Sequence, residues 1–362
     1  MKIVHTSDIN SGKKCTGLKL AGDKLRAGLK TVLSRIVDYT INEKADMLVI
    51  AGNLFDNLEI SNNLQNYIIG EFGRLESIPV VIVPGDNDKC ADSLFWNGWE
   101  NHNRHKNIFV IENPKNPYRT FEELNCTVYG MFPGFMDSQD GESLKMTRQD
   151  SEYHIAIAPL QFDAVKSLIE NSGQEFDYIA LGGKVGFEDI SETGRSLAYS
   201  GSPEQTDFDQ DEAGYLTTIE IDSQKNVSIS KSQIGQYKWQ TEEIKANEIL
   251  SNDDLVERIE RIADENTALR LKLSGLALFE TDLAPARIEE KMQDDFLWFE
   301  IIDDMKVLPE NVSEVKVSEK TLLGQYIKVM AGDLGEAEAE LKPRLEKSLK
   351  IGYALLQGRE IW

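Results

Sequence analysis

Three apolar runs in the first ninety residues, "KIVHTSDI", "DMLVIAGNLF" and "PVVIVPGDND", each break off into glycine, aspartate or asparagine. Between them, "DKLRAGLKTVLSRIVDYTINEK" and "NNLQNYIIGEFGRL" place apolar residues at helical spacing. This alternation constrains the fold more than any other feature. A continuous apolar strand needs cover on both faces, and parallel strands need crossovers, so intervening helices supply both. The pattern predicts an α/β layer structure.

Further strands are expected at "CTVYGMF", "HIAIAPL", "YIALGG", "SLAYSG" and "YLTTIEID", with one helix at "FDAVKSLIENSG". Helices thin out after residue 110, which predicts mixed parallel and antiparallel pairing in two facing sheets. Chemistry in such folds sits on loops beyond strand ends. Here those loops are 8–12, 52–57, 85–88, 159–162 and 182–187.

A boundary is expected near residue 236, giving a first domain over 1–236. The pattern then becomes strand (237–245), helix (252–265), strand (268–278), helix (284–292) and strand (296–303). That β-α-β-α-β unit, 237–316, is expected to form a small α/β cap. From "SEKTLLGQYIKVM" onward, residues 317–362 are expected to be helical. The stripe Leu341, Leu345, Leu349, Tyr353 and Leu356 reads as a packing face, for its own chain or for a partner helix.

At 362 residues the chain exceeds one ordinary core, consistent with more than one domain. The opening "MKIVHTSD" reads as a strand and not as a secretion signal, and no apolar run approaches the roughly 20 residues that span a bilayer. Cys15, Cys90 and Cys126 are widely spaced, as expected of a reducing cytoplasm. A net charge of −23 argues against strong bulk attraction to bare nucleic acid. Residues 1–50 depart from it, with nine Lys/Arg against five Asp/Glu, so a DNA contact through 13–35 stays open beside a solvated helix face.

The segments "IVHTSDIN", "DMLVIAGNLFDN", "IPVVIVPGDND", "DYIALGGKVGF" and "YSGSPEQTDF" together resemble bacterial SbcD-type nucleases in order and spacing. These are calcineurin-like metallophosphoesterases, and the variants with a longer C-terminal part (YhaO-like proteins) are most similar. The resemblance covers roughly residues 1–220 well and the C-terminal third loosely. It implies a four-layer β-sandwich flanked by helices. It also implies two divalent ions that activate water for in-line attack on a phosphodiester.

Carried over position by position, that chemistry is largely missing. The family's D-x-H is here Asp8 with Asn10. In G-D-x-x-D the bridging carboxylate is replaced by Asn53, while Asp56 persists. In G-N-H-D the liganding amide is Asp86, the histidine that acts on the leaving group is Asn87, and Asp88 remains. A liganding histidine after "YHIAIA" is Pro159, and the imidazoles of G-H-x-H are replaced by Gly183 and Val185, with Lys184 between them. Only Asp8 keeps its family residue type among the seven ligand positions. An amide cannot bridge two cations as a carboxylate does, and Pro, Gly and Val bring no side-chain lone pair. Without an imidazole at 87, general-acid help worth about 100- to 10,000-fold is absent.

Three readings follow. The first is a catalytically inactive SbcD-like pseudo-nuclease, a structural or regulatory subunit of an SMC-like, SbcC-type ATPase, with a homodimer implied by the resemblance. The second is an altered phosphoesterase in which Asp8, Asn10, Asn53 and Asp86 form a weak oxygen-only site for one Mg²⁺, Mn²⁺ or Ca²⁺. The third is a regulator that binds phosphate or nucleotide in the old cleft, with Lys184 as counter-charge. Other motifs read more simply. "DFDQDE" at 207–212 lacks the glycine of a calcium loop, His102 and His105 lack a third ligand, and His5 and His154 lie within strands.

Overall fold

The computed structural model describes residues 1–16, 18, 20–89, 95–96, 98–99, 105–113, 115–132, 147–172, 174–277, 283–307, 312, 315, 317–338 and 341–358. Cys90 and His102 lie outside them. The chain divides into two compact units, Met1–Lys238 and Trp239–Trp362.

The first unit is built on two six-stranded sheets. The first sheet contains β1 (Lys2–Thr6), β2 (Met47–Ala51), β3 (Val80–Val83) and β4 (Ile108–Val110). The second contains β5 (Tyr118–Phe121), β6 (Cys126–Gly130), β7 (Tyr153–Ala158), β8 (Tyr178–Leu181), β9 (Glu188–Asp189) and β10 (Leu197–Tyr199). The chain then returns to the first sheet through β11 (Tyr215–Ile221) and β12 (Val227–Gln233), giving the order β12-β11-β1-β2-β3-β4. Strands β1 to β4 are parallel, while β11 and β12 run antiparallel. The second sheet has the order β5-β6-β7-β8-β10-β9, with a parallel centre and antiparallel edges. Mixed pairing is therefore as expected.

Strand period explains the layers. Met47, Val49 and Ala51 of β2 enter the core shared with the second sheet. Leu48 and Ile50, pointing the other way, enter the core shared with α1 (Leu20–Asn42) and α2 (Asn62–Gly73). The Ser61 side chain caps α2 by accepting from the Leu64 N–H. On the second sheet, Val165 and Ile169 of α3 (Phe162–Ser172) join the core. Because β1, β2 and β3 run parallel, their C-terminal loops emerge at one end of the sheet.

The second unit carries β13 (Lys238–Lys245), α4 (Asn252–Glu260), β14 (Thr267–Ser274), β15 (Leu276–Ala277), α5 (Pro285–Met292), β16 (Trp298–Asp303) and β17 (Lys306–Val307). Strands β13, β14 and β16 form one sheet, and β14 pairs with β16 in parallel across α5. Leu255, Ile259, Leu269, Leu271, Ile288 and Phe299 make its core. A second core, Val312, Ile327, Leu349, Tyr353 and Ala354, lies around α6 (Leu322–Glu336) and α7 (Lys342–Leu356). In the sequence-read stripe, Leu349 and Tyr353 are buried, whereas Leu341 precedes the helix and is exposed, as is Leu356.

Candidate functional site

The loop after β1 begins at Asp8 and the loop after β2 at Gly52-Asn53. Asp8, Asn10 and Asn53 have φ of 52°, 49° and 52°, the left-handed region that Asp and Asn tolerate better than most residues. Backbone bonds lace the two loops together, Asp8 N to Gly52 O (3.1 Å), Asn10 N to Asn53 O (2.9 Å) and Ser11 N to Leu54 O (2.9 Å). The Asp56 N–H donates to Ser11 O (3.1 Å) and its carboxylate accepts from Asn57 (3.2 Å).

Five of the sequence-derived positions meet in one hydrogen-bond network. Asn53 Nδ2 donates to Asp8 Oδ1 at 2.7 Å, and the Gly183 N–H donates to Asp8 Oδ2 at 3.0 Å. Asn53 Oδ1 in turn accepts from the Asn87 N–H at 3.0 Å. Asn87 Nδ2 donates to Asn10 Oδ1 at 3.2 Å, and Asn10 Nδ2 donates to the Asp8 carbonyl at 3.0 Å. Burial pushes the Asp8 carboxyl above its ordinary value, against the hydrogen bonds from Asn53, Ser7 and Gly183.

Asp88 is fully buried and pins the third loop. Its Oδ1 accepts from Gly85 N at 2.7 Å and its Oδ2 from Phe55 N at 3.1 Å. Burial outweighs these bonds and raises its pKa to about 6. The neighbouring Asp86 behaves oppositely. Its side chain is 70% exposed and paired with Lys89 at 2.8 Å.

The remaining positions are steric or outward-facing. A side chain at Gly52 would meet Pro159 at 2.5 Å, and one at Gly182 would meet the Ala51 carbonyl at 1.6 Å, so the loops pack closely there. Lys184 pairs with Glu188, and its Nζ lies 5.6 Å over the Tyr199 ring. Val185 is partly exposed, and its carbonyl accepts from Ser202 N at 2.7 Å.

The calcineurin-like phosphoesterase family matches residues 1–195, more than half of the chain. The chain belongs to the calcineurin-like phosphoesterase family. The SbcD component of the SbcCD nuclease from Staphylococcus epidermidis is 23% identical over 315 residues, covering 76% of this chain and 80% of that protein. Among solved structures, a Thermus thermophilus protein aligns over 64% of this chain and 98% of its own at 12% identity and a TM-score of 0.41. A dimetal phosphatase from Danio rerio aligns over 65% and 96% at 10% identity and a TM-score of 0.42.

The resemblance read from the sequence implies two divalent ions at these strand ends, and the donor set here does not fit two such ions. Asn10 and Asn53 bring neutral amides, Pro159, Gly183 and Val185 bring no side-chain donor, and the carboxylate of Asp86 is turned to Lys89. Among the described residues, no group of three or more His, Cys, Asp or Glu is placed to hold a metal.

Two residues of this phosphoesterase domain were not singled out from sequence. Ser202 Oγ lies 3.0 Å from the Asp8 carbonyl. Glu204, fully buried, accepts from Gln236 N, Tyr237 N (2.8 Å) and Arg35 Nη2 (2.9 Å). Both belong to "GSPEQTDF", a run that contributes to the family resemblance without showing which of its residues support the site. His5 sits inside the core against Tyr178 OH (2.9 Å), with its pKa driven to about 3 by burial, and His154 bonds Tyr129 OH (3.1 Å). His105 packs on Gly73, and Glu212 of the 207–212 run pairs with Lys231.

Proposed function

We propose that this chain is a catalytically inactive SbcD-like protein, a structural or regulatory subunit that works with an SMC-like, SbcC-type ATPase in DNA processing. One observation carries the reading. The Asp8 carboxylate, the one retained family ligand, takes a hydrogen bond from the Asn53 amide that stands in place of the bridging carboxylate, and its other oxygen accepts from the Gly183 N–H. An amide N–H directed at Asp8 supplies no second carboxylate to share between two cations. The Asn53 amide supports the turn geometry without bridging ions, and Asn87 offers no general acid at neutral pH. The likeness to an SbcD component supports the ATPase partnership, and we extend the proposal to a homodimer, a cytoplasmic location and a DNA contact through residues 13–35. We also keep the three-part division, 1–236, 237–316 and 317–362, with the last segment as the ATPase-docking region. The two cores of the second unit support it.

The oxygen-only site of Asp8, Asn10, Asn53 and Asp86 is less favoured, because Asp86 faces solvent and is paired with Lys89. The same holds for Lys184 as a phosphate contact, since its charge meets Glu188. Calorimetric titration of Mn²⁺ into chelator-stripped protein tests the reading. No binding at millimolar metal is expected. A site tighter than about 100 μM, a free energy on the order of −5.5 kcal/mol, would overturn inactivity and favour an altered phosphoesterase. Separately, deletion of residues 320–362 is expected to abolish co-purification with the ATPase, and unchanged recovery would refute that docking region.

A further inference from the structure

The end of the first sheet opposite the Asp8, Asn53 and Asp88 loops carries a recess of its own. Residues 45–46, 76–79 and 105–107 lead into the parallel strands β2, β3 and β4, and with the turn after β5 they border a cleft of about 640 Å³. Phe109 lies on the edge strand of one sheet and Phe121 on the edge strand of the other. Their rings meet edge to face, with centroids 5.1 Å apart. Ile78, Pro79 and Leu124 extend this apolar lining.

The charged lining is unbalanced. Four carboxylates, those of Asp46, Glu76, Glu122 and Glu123, border the cleft against one lysine, Lys106, and one histidine, His105. Glu76, Glu122 and Glu123 are exposed, and their side chains form no ion pair with a described residue. Asp46 accepts the Lys2 N–H at 2.7 Å, which fixes its carboxylate, and His105 lies against Gly73. Asn107 also borders the cleft and is itself buried. Its Nδ2 donates to the Phe72 and Ile78 carbonyls at 2.9 and 3.3 Å, while its Oδ1 has no partner among the described residues. A buried acceptor in that state is unfavourable until a donor meets it.

We propose that this cleft docks a short basic peptide segment of a partner protein. The segment's apolar side chains rest on Phe109, Phe121 and Leu124, and its arginines or lysines meet Glu76, Glu122 and Glu123. Charge complementarity selects the occupant, since an acidic rim attracts cations and repels phosphate. The apolar lining selects further, because a metal ion or a polyamine would leave the aromatic pair in water. The volume falls inside the range of ligand sites, about 300 to 1,000 Å³, which suits the few side chains of a short segment and not a folded domain. The guanidinium of Arg119 already lies 4.8 Å from the Phe109 ring centroid, the same pairing of cation and aromatic that an incoming arginine would use. Docking at this end needs neither metal nor ATPase and leaves the Asp8 loops clear.

Fluorescence anisotropy with the full chain tests it, using a labelled hexapeptide in which a phenylalanine–leucine pair is flanked on each side by two arginines. Binding tighter than about 1 mM at about 0.15 M ionic strength is expected, weakening as salt rises. Glu122→Lys with Glu123→Lys is expected to weaken it roughly tenfold, and Leu124→Ala severalfold. Replacing the phenylalanine and leucine of the peptide by glycine should cost severalfold as well. Thermal unfolding checks each variant's fold, and the exposed glutamates keep the test valid if Leu124→Ala does not fold. The same charge reversal at exposed positions elsewhere, Glu260→Lys with Glu265→Lys, is expected to leave binding close to the parent. An equal loss there, no loss at Glu122 and Glu123, or absence of binding at millimolar peptide would overturn the site. Displacement by spermine at equal charge concentration, or indifference to the glycine replacement, would overturn the peptide assignment in favour of a small organic cation.

Discussion

The loop after β1 serves two places that handle polar groups in opposite ways. Inward, Asp8 and Asn10 are knitted to Asn53, Asn87 and Gly183, so each side-chain oxygen has a protein donor. Outward, Lys13 joins Lys30 and Arg26 around a cleft whose lining offers no counter-carboxylate among the described residues. The inner residues are of ligand-bearing types and the outer ones are ordinary surface cations, of which Arg26 is paired with Asp23 and Lys13 bonds the Thr206 hydroxyl. Availability, more than residue type, decides what a group can bind. Inner substitutions should therefore move stability, and outer ones should leave it nearly unchanged.

The largest effect is expected at Asp88, the deepest of the loop carboxylates. Asp88→Ala strands two buried backbone N–H groups, those of Gly85 and Phe55, each loss costing about 1–3 kcal/mol, or roughly 4 kcal/mol together. Urea unfolding measures it, and a loss under about 1 kcal/mol would break the view that this end of the sheet is held by internal bonds.

A pH dependence follows from the same group. Its native pKa of about 6 lies above the ordinary 3.8, so the native state keeps a proton that the unfolded chain releases between those values. Ionisation then opposes folding, and the stability contributed by the protonated form is lost as pH rises through about 6. The difference in stability between the parent protein and Asp88→Asn should shift against the parent by roughly 2 kcal/mol from pH 4 to pH 7. A flat difference would place the proton elsewhere.

Asn53→Asp sharpens the comparison further. It sets a second carboxylate in place of the amide 2.7 Å from Asp8 Oδ1. Like charges so close should cost about 2 kcal/mol at pH 7 and be relieved by acid. Recovery of stability with added Mn²⁺ would mean that only the bridging carboxylate separates this cleft from a metal site. The smallest effects belong outside. Asp86→Ala and Lys30→Glu should each change stability by less than about 0.5 kcal/mol. A larger loss at Asp86 would place it in the inner network.

Much of the fold was legible because strand and helix periods are local. The alternation through residue 110, the later strands β6, β7, β8, β10 and β11, and helix α3 all follow from apolar spacing. The misses are equally local. Strand β12 is a half-exposed edge with two serines on its outer face and gives no apolar run. Helix α4 stops at Glu260, short of the expected 265, and the C-terminal helical stretch breaks after Glu336, ahead of Pro343. At the site, the residues Asn10, Asn53, Asn87, Pro159, Gly183 and Val185 were readable one by one, and their standing in place of imidazoles and a carboxylate is what the resemblance implies. Glu204 was not, because its partners Arg35, Gln236 and Tyr237 are distant in sequence.

The sequence by itself determined the layered α/β architecture and the residue types at the strand-end loops, since period and residue chemistry need no partner to be read. Only the tertiary structure decided where the surviving groups point. Asp8 receives the Gly183 N–H across 175 residues, and Asn87 meets Asn10 across 77. Asp86 and Asp88, two residues apart, turn to solvent and to the interior. A hydrogen bond between distant loops depends on sheet register and loop path to within a few tenths of an ångström, and no local pattern carries that information.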